Sequence, residues 1–256
     1  MKPTSLNWLT ILGSGTGIVR PGRSGPSVLI QSDEFAALVD CGPGTLMRLS
    51  EAGMRVTDID AVLFTHFHID HCSDLAPLLF ARRIPQDPDE VPPLLIIGKD
   101  AVGYYAGLRR LYGEWVDDLK GSPVVLNIEQ AGSELGPWNI EWCSTTHTEN
   151  SVAYRFEDVG GATLVISGDT GPSDALEELG RKTDTLILEC SFPDPSPFPT
   201  HLSPETAGKL AGEAQCSRLI LTHFYPQIES ANITGVVSNH FNGPIIRAHD
   251  HLRLLW

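Results

Sequence analysis

The segment THFHIDH, residues 65–71, contains four side chains that can bind a metal ion: His66, His68, Asp70 and His71. It directly follows the apolar run IDAVLF at 59–64, which is typical of a buried strand. Side chains two residues apart point to the same side of an extended chain, so the first two histidines can approach one ion together. The aspartate and the third histidine lie on the following turn, where a second ion could bind. Imidazole nitrogen and carboxylate oxygen suit Zn²⁺ and neighbouring metals, which favours a metal site over a histidine-rich surface loop.

Apolar segments on both sides of this motif predict strands that alternate with helices. The predicted strands cover 9–12, 27–31, 36–39, 59–64, 94–98, 124–129, 139–145, 152–157, 162–167, 185–190 and 218–223. The predicted helices cover 45–53, 75–82, 100–119, 173–180 and 204–214, the last with Ser203 as N-cap. Proline-rich loops occupy 84–93 and 192–199, and a mixed tail follows the strand at 218–223. No linker rich in Gly or Ser divides the chain, which predicts one α/β domain with two sheets between outer helices.

Three further polar residues follow apolar strands, namely His147, Asp169 and His223. Loops beyond strand ends commonly form the sites of α/β proteins. Taken singly, each histidine has another interpretation as a hydrogen-bonded structural residue, and Asp169 could cap the next helix. Together with the motif at 65–71, they predict one metal site assembled from distant segments.

The composition is that of an acidic globular protein. The 256 residues include 18 Lys and Arg against 32 Asp and Glu, so the formal net charge is −14. This charge disfavours non-specific binding to nucleic acid or to an anionic membrane, although it leaves room for a local basic patch. No stretch approaches the roughly 18 apolar residues of a membrane span. Five cysteines without CxxC spacing are expected to be reduced thiols, which predicts a cytoplasmic protein.

The motif and the three later residues resemble the metallo-β-lactamase fold superfamily of metallohydrolases, with similarity from GSGTG at 13–17 to LTHFYP at 221–226. The resemblance implies a four-layer αββα sandwich, here a single domain of residues 1–256, with two divalent metal ions at one edge of the sheets. It implies the following ligands: His66, His68 and His147 for one metal, Asp70, His71 and His223 for the other, and Asp169 between them. Zinc is the first expectation, although similar sites accept manganese or iron.

Within that superfamily, the chain is most similar to the branch of ribonuclease Z, arylsulfatase and cyclic phosphodiesterases. The stretch LVDCGPGTLMRL at 38–49 carries this resemblance, as do Glu189 in LILECSF and His201 in THLS, which match the branch's HEAT and HST motifs. In those enzymes the histidine acts beside the scissile phosphate as proton donor or anion stabiliser, and the glutamate orients it. The resemblance therefore implies catalytic roles for Asp70, His201 and Glu189.

Several features depart from ribonuclease Z. The middle of the chain is too short for the long basic arm with which that enzyme holds tRNA. HFYPQIES at 223–230 lacks the arginine of its HFSxRY motif, LECS replaces HEAT, and Leu202 replaces the serine of HST. Together with the negative charge, these departures favour a small anionic substrate over nucleic acid. Asp74 stands where lactonases and glyoxalase-like members carry glycine, which counts against a lactone or thioester substrate.

The expected function is a binuclear metal-dependent hydrolase that acts on a small or cyclic phosphodiester through a metal-bridging hydroxide. His201, backed by Glu189, would protonate the leaving alkoxide, whereas the other interpretation of His201 is an exposed loop residue. Alternative functions are ribonuclease Z-like RNA processing, a lactonase, thioesterase or arylsulfatase of the same fold, and a non-catalytic metal-binding module. A homodimer is one option, by analogy with the branch alone.

Some polar features have two interpretations. GSGTG at 13–17 is expected to be a turn at the rim of the site, because it lacks the context of a phosphate-binding loop. Cys72 is expected to pack in the core, although it lies beside a ligand.

The C-terminal histidines 240, 249 and 251 are either surface residues or an accessory metal site. Arg82 and Arg83 either approach an anionic substrate or are solvated charges at a helix end.

Overall fold

The computed structural model describes residues 6–84, 91–117 and 123–256. Most of the predicted loop at 84–93 lies outside the described residues, as does the end of the predicted helix at 100–119. In the described part of the chain, the strands form two sheets of seven strands each.

The first sheet is built largely from the N-terminal half of the chain. Its strands are β1 (Trp8–Gly13), β2 (Ser27–Gln31), β3 (Ala36–Val39), β4 (Ala61–Leu63), β5 (Leu95–Gly98), β6 (Val124–Asn127) and β14 (Leu252–Leu255). Their spatial order is β14-β1-β2-β3-β4-β5-β6. Strands β3 to β6 run parallel, and β2 pairs antiparallel with both β1 and β3.

The second sheet is built from the C-terminal half. Its strands are β7 (Glu134–Leu135), β8 (Trp138–Ser144), β9 (Val152–Asp158), β10 (Thr163–Ile166), β11 (Thr185–Glu189), β12 (Leu219–Thr222) and β13 (Ile245–Arg247). They lie in the order β13-β12-β11-β10-β9-β8-β7. Strands β10 to β13 are parallel, and β9 pairs antiparallel with β8 and β10.

The helices lie between the strands much as the sequence predicts. They are α1 (Thr45–Glu51), α2 (Ile69–Cys72), α3 (Leu75–Arg82), α4 (Ala101–Tyr112), α5 (Asp174–Leu179), α6 (Pro204–Ala214) and α7 (Ile233–Val237). The predicted N-cap of α6 is confirmed, because Ser203 Oγ accepts a hydrogen bond from the N–H of Thr206. α4 ends earlier than the predicted residue 119. Its last residue is Tyr112, and Gly113 follows with a φ of +63°. None of the described helices is long and apolar enough to cross a membrane.

Period-two alternation in the strands divides the core into three apolar layers. In β1, Leu9 and Ile11 face the second sheet, whereas Leu12 faces the helices α1, α3 and α4. In β11, Ile187 faces the first sheet, whereas Leu188 packs against α5, α6 and α7. The central strands of both sheets are therefore buried on two faces, and the predicted αββα sandwich is confirmed.

The C-terminal tail, which the sequence predicts only as mixed, adds one strand to each sheet. β13 pairs parallel with β12, and β14 pairs antiparallel with β1, with Leu255 opposite Trp8. Trp256 then packs into the layer between the sheets. These strands have three and four residues, and runs this short give little periodicity to recognise.

The strands that carry the predicted ligands end at one edge of the sandwich. The strand directions bring the ends of β1, β3 and β4 to this edge, together with those of β8, β10, β11 and β12. Two backbone hydrogen bonds join the sheets there: Val152 N–H donates to Thr65 O (2.8 Å), and Phe224 N–H donates to Ser14 O (3.1 Å). Polar residues that follow these strands consequently meet in one place.

Arg82 lies in the interior of the protein. Its residue is fully buried, and its guanidinium donates to the backbone carbonyls of Val56 and Ile59 at 2.9 Å each. Both interpretations from the sequence, a substrate contact and a solvated helix-end charge, are therefore wrong for Arg82. It instead ties α3 to the segment before β4. Arg83 donates to the carbonyl of Asp117 (3.0 Å).

We expect Arg82→Ala to lower the free energy of unfolding by about 2–4 kcal/mol, because buried carbonyls lose their donor and a cavity remains. Urea denaturation measures this change. Arg110→Ala, on the exposed side of α4, is the matched control and should stay within about 0.5 kcal/mol of the parent. An unchanged midpoint for Arg82→Ala would refute the structural role.

Candidate metal centre

All seven predicted metal ligands lie together at the shared edge of the two sheets. They occupy the following positions: His66 and His68 after β4, Asp70 and His71 in α2, His147 after β8, Asp169 after β10, and His223 after β12. The fold therefore brings together residues from four separate segments of the chain.

The motif at 65–71 changes from extended chain to helix at His68, which is the N-cap of α2. This change divides its ligands between the end of a strand and one helical turn. The turn packs closely on the loop after β3, where a Cβ on Gly42 would lie 2.0 Å from the carbonyl oxygen of Asp70. The N–H of Cys41 also donates to the carbonyl of His71 (2.7 Å). Glycine is thus required where this loop supports the motif.

The first group of donor atoms comes from His66, His68 and His147. Nδ1 of His68 lies 3.1 Å from Nε2 of His147. Oδ2 of Asp169 lies 3.9 Å from Nε2 of His66 and 3.7 Å from Nε2 of His147. The four residues offer ligand atoms that all lie within 4.8 Å of one another, a spacing that a single cation could span.

The second group comes from Asp70, His71 and His223. The Nε2 atoms of the two histidines are 3.4 Å apart, and Nε2 of His223 lies 3.7 Å from Oδ2 of Asp70. Oδ1 of Asp169 lies 3.2 Å from Nε2 of His71 and 3.3 Å from Nε2 of His223. One oxygen of Asp169 therefore faces each group.

The chemistry of this donor set fits divalent cations. Nε2 of His66 and Oδ1 of Asp169 are buried and make no hydrogen bond within the described residues. A buried polar atom without a partner costs on the order of 1–3 kcal/mol, and a cation would provide the missing partner. Nitrogen and carboxylate oxygen are the ligands that zinc and related metals prefer.

Four of the imidazoles are held in orientation by contacts at Nδ1, the ring nitrogen on the other side from the Nε2 atoms described above. These contacts are Thr65 Oγ1 to His66 Nδ1 (3.1 Å), Asp40 Oδ2 to His71 Nδ1 (2.8 Å), Thr200 O to His147 Nδ1 (3.1 Å) and Ser191 Oγ to His223 Nδ1 (2.9 Å). A carbonyl or carboxylate at Nδ1 keeps the proton there and leaves Nε2 as the ligand atom.

Asp40 is the supporting residue that the sequence reasoning missed. Its Oδ1 accepts the N–H of Thr65 (2.8 Å), and its Oδ2 accepts the Thr65 hydroxyl and Nδ1 of His71 (2.8 Å each). It holds a φ of +63° at the end of β3, directly before the loop CGPG. The sequence did contain a signal for this residue, because an aspartate lies between a buried strand and a Gly-Pro turn. Since β3 is the parallel neighbour of β4, a residue that follows β3 lies beside the motif that follows β4.

Burial and the neighbouring charges set the protonation of the centre. Burial, together with His71, lowers the pKa of His66 to about 2, so this ring is neutral. Burial opposes the charged form of His71, but Asp169 and Asp40 outweigh it and raise the pKa of His71 well above its usual value. Burial likewise opposes the charge of Asp169, yet His223 and His71 hold its pKa well below the usual range. The carboxylates thus favour positive charge between the two groups, which a divalent cation can supply.

His201 reaches the centre from the loop between β11 and α6. Its Nδ1 lies 2.8 Å from Oε1 of Glu189 and 4.0 Å from Oδ2 of Asp169. Its side chain is 11% exposed, so the interpretation as an exposed loop residue is wrong. Burial lowers the pKa of His201. The hydrogen bond to Glu189 and the charge of that carboxylate raise it by more, so the net shift is upward. His201 also forms a third cluster of possible ligand atoms with Asp169 and His223.

Glu189 is buried and held on two sides. Its Oε1 accepts the N–H of Thr170 (2.8 Å) as well as contacting His201, and its Oε2 accepts the hydroxyl of Ser191. These contacts fix the carboxylate, so Nδ1 of His201 is engaged and Nε2 is the ring atom left for a substrate.

Three other sequence interpretations concern the GSGTG loop, Cys72 and the C-terminal histidines. The loop GSGTG lies at the rim of the centre, and the N–H of Gly17 donates to Oδ2 of Asp70 (2.9 Å). Cys72 packs in the apolar layer beside α3, as expected. In the described residues, His240, His249 and His251 join no cluster of three possible ligands. His251 instead pairs with Glu51 (2.9 Å).

A family model described as the metallo-beta-lactamase superfamily matches residues 20–223, which is most of the chain. The chain belongs to this superfamily. The metal-dependent hydrolase expected from the sequence is thereby confirmed at the level of the family, and the family's fold implies divalent metal ions.

Relatives resemble this superfamily member over nearly its full length. Ribonuclease Z from Mycobacterium bovis is 29% identical over 270 residues, covering 94% of this chain and 95% of the relative. The metallo-beta-lactamase fold protein YhfI from Bacillus subtilis is 25% identical, with a TM-score of 0.85 over 98% of this chain and 100% of its own. The short form of human tRNase Z shares the fold, with a TM-score of 0.76, 21% identity and coverage of 96% and 98%.

We expect Asp40→Asn to weaken divalent metal binding about 10- to 100-fold. Asparagine tolerates the positive φ, but its amide would turn a donor toward either Thr65 or His71 and disturb the ring orientation. Competition with a chromophoric chelator measures the affinity. Asp33→Asn, on an exposed turn, is the control, and equal affinities in the two variants would contradict a supporting role for Asp40.

Proposed function

We propose that this protein is a binuclear metal-dependent phosphodiesterase that acts on a small anionic diester. His66, His68 and His147 would hold one divalent cation, and Asp70, His71 and His223 the other, with zinc the first candidate and manganese or iron the alternatives. The observation that carries the proposal is the position of Asp169, whose two oxygens each face one group of donors.

Two bound cations would supply positive charge for the phosphoryl oxygens and a water nucleophile at neutral pH. The chain's own residues would position these groups and supply the proton. Asp169 fixes the spacing of the two donor groups, and Asp70 is held by the N–H of Gly17 (2.9 Å). His201 presents Nε2 beside the first group, because Glu189 holds Nδ1 at 2.8 Å.

A proton donor at this place suits phosphodiester cleavage. An alkoxide is a poor leaving group, and its protonation in the transition state accelerates cleavage. Burial lowers the pKa of His201, but Glu189 raises it by more, and the net upward shift favours a protonated ring. His201 and Glu189 therefore form an acid and its positioning carboxylate.

Ribonuclease Z-like RNA processing is the second candidate, and the relative from Mycobacterium bovis favours it. The net charge of −14 weighs against a large polyanionic partner, since phosphate contacts dominate such binding. Cleavage of a precursor tRNA at rates comparable to a small diester would move the assignment to RNA processing. Lactones, thioesters and aryl sulfates test the remaining hydrolase alternatives.

We also propose that the protein is cytoplasmic and forms a homodimer. All five cysteines are free thiols, and four of them are buried, which suits a reducing compartment such as the cytoplasm. A homodimer is the proposed assembly, by analogy with its branch, and light scattering tests it directly.

We expect about two divalent ions per chain when the zinc- or manganese-loaded protein is desalted and analysed by elemental mass spectrometry. Asp169→Ala should lose both ions, because one carboxylate serves both donor groups. Asp174→Ala, an exposed carboxylate on α5, is the control and should retain both. Retention of two ions by Asp169→Ala would contradict a bridging position.

Loaded protein should hydrolyse bis(4-nitrophenyl) phosphate, and Asp70→Ala should abolish turnover by removing a ligand of the second group. Release of 4-nitrophenol measures the rate. A protein that retains two metals yet leaves the diester intact would refute the phosphodiesterase proposal and favour esters, lactones or sulfates.

His201→Ala should lower kcat about 100-fold or more for a phenyl leaving group and far less for 4-nitrophenyl, which leaves without a proton. Glu189→Gln should change both rates in the same directions. His240→Ala, a histidine away from the centre, is the control. Equal losses for both leaving groups would show that His201 does not act as the acid.

A further inference from the structure

A cleft of about 380 Å³ opens beside the first donor group. His66 and His68 form one side of it, and Phe67, Asp100, Gly103, Tyr104, Thr148 and Asn150 line the remainder. Its volume is in the range of small-molecule pockets. The cleft is therefore positioned to bind a group that is attached to the phosphate at the metal centre.

Asp100 contributes the one carboxylate among the non-ligand residues that line this cleft. It ends the turn after β5 with a φ of +112°, which is uncommon for a residue other than glycine. Its carboxylate does not cap α4, because Oδ1 of Asn127 takes the N–H of Val102 (3.1 Å). It lies instead over Gly103, where a Cβ would come within 2.4 Å of Oδ1. An exposed acceptor thus lies at the wall of the cleft.

The rest of the cleft combines an aromatic floor with groups that both donate and accept. The rings of Phe67 and Tyr104 stack with centroids 4.6 Å apart, and the Tyr104 hydroxyl donates to the carbonyl of Cys72 (3.2 Å). The loop that carries Thr148 and Asn150 is tied to the end of β5, since Lys99 Nζ donates to the carbonyl of Glu149 (2.8 Å). The walls therefore have a fixed spacing.

The cleft and His201 adjoin different histidines of the centre. The ring of His201 neighbours those of His147 (4.8 Å) and His223 (6.0 Å), whereas the cleft is bounded by His66 and His68. A leaving group protonated by His201 would depart on one side. The ester group that stays on phosphorus would then occupy the cleft.

We propose that the cleft binds the retained ester group of the substrate, and that this group carries vicinal hydroxyls, as in a sugar or polyol. The inference rests on the proposed phosphodiesterase function. A carboxylate only accepts hydrogen bonds and repels phosphate, so Asp100 would favour a ligand group that donates hydrogen bonds and carries no negative charge. Hydroxyls also accept from the Asn150 amide, and a carbon skeleton packs on the aromatic floor. Asp100 is accordingly a specificity-determining residue.

Matched pairs of 4-nitrophenyl diesters test this subsite, because each pair shares its leaving group. The 4-nitrophenyl glyceryl diester is compared with the propyl diester, and the diester of methyl glucoside 6-phosphate with the cyclohexylmethyl diester. We expect kcat/KM to favour the hydroxylated member of one pair about ten-fold or more, which identifies a polyol or a sugar as the source of the hydroxyls. The preference should arise largely in KM.

Asp100→Asn and Asp100→Gly should both reduce this preference to about two-fold or less. Glycine also relieves the positive φ, so a correctly folded variant is available. Asp33→Asn is the control that should retain the preference. A preference that survives in both Asp100 variants would overturn the inference, as would equal rates for the members of each pair.

A third comparison separates hydroxyl from amine recognition. If the 2-aminoethyl diester reacts better than the glyceryl diester, the cleft selects a cation and the hydroxyl assignment is wrong. If the protein hydrolyses none of these diesters, the proposed function fails and the subsite fails with it. Hydrolysis of every diester without selectivity overturns the subsite alone.

Discussion

A single buried carboxylate, that of Asp169, organises the centre. Its two oxygens face separate groups of imidazoles at 3.2–3.9 Å, and little solvent reaches it to compensate its charge. An uncompensated carboxylate in the interior is very unfavourable, so the surrounding histidines, or cations between them, are required for the fold as well as for chemistry. Asp40 and Ser191 support the two histidines of the second donor group, whereas Thr65 and Thr200 support His66 and His147 of the first.

The sandwich makes this arrangement possible because both sheets present their parallel strands to the same edge. Apolar burial on two faces fixes each strand, and the residue after its last apolar position emerges at the edge. The loops that follow are joined across the sheets by backbone hydrogen bonds, such as that from Val152 to Thr65. Rigid strands consequently set the positions of the ligands with the precision that a metal centre needs.

The proposed proton donor and the proposed specificity cleft occupy different parts of this edge. His201 and Glu189 lie beside Asp169 on the side of β11, whereas Asp100 and the Phe67–Tyr104 stack lie on the side of β5. A substrate bound between them would meet a proton donor at one end and hydrogen-bond acceptors at the other. The division resembles the usual anatomy of α/β enzymes, in which the sheet edge provides reactivity and variable loops provide specificity.

Local signals in the sequence, namely period-two alternation and polar residues after apolar strands, predicted two sheets between outer helices and the seven clustered residues. The four-layer αββα sandwich and the division of the ligands between two metals came from the family resemblance. The sequence could not reveal Asp40 as a support, Arg82 as a buried tie or the pairing of β14 with β1, since each depends on a partner distant in the chain. The packing of the folded chain shows which oxygen of Asp169 faces which histidines, and that His201 is sheltered beside Glu189. The physical reason is that distances and burial between segments arise from packing, which no local pattern encodes.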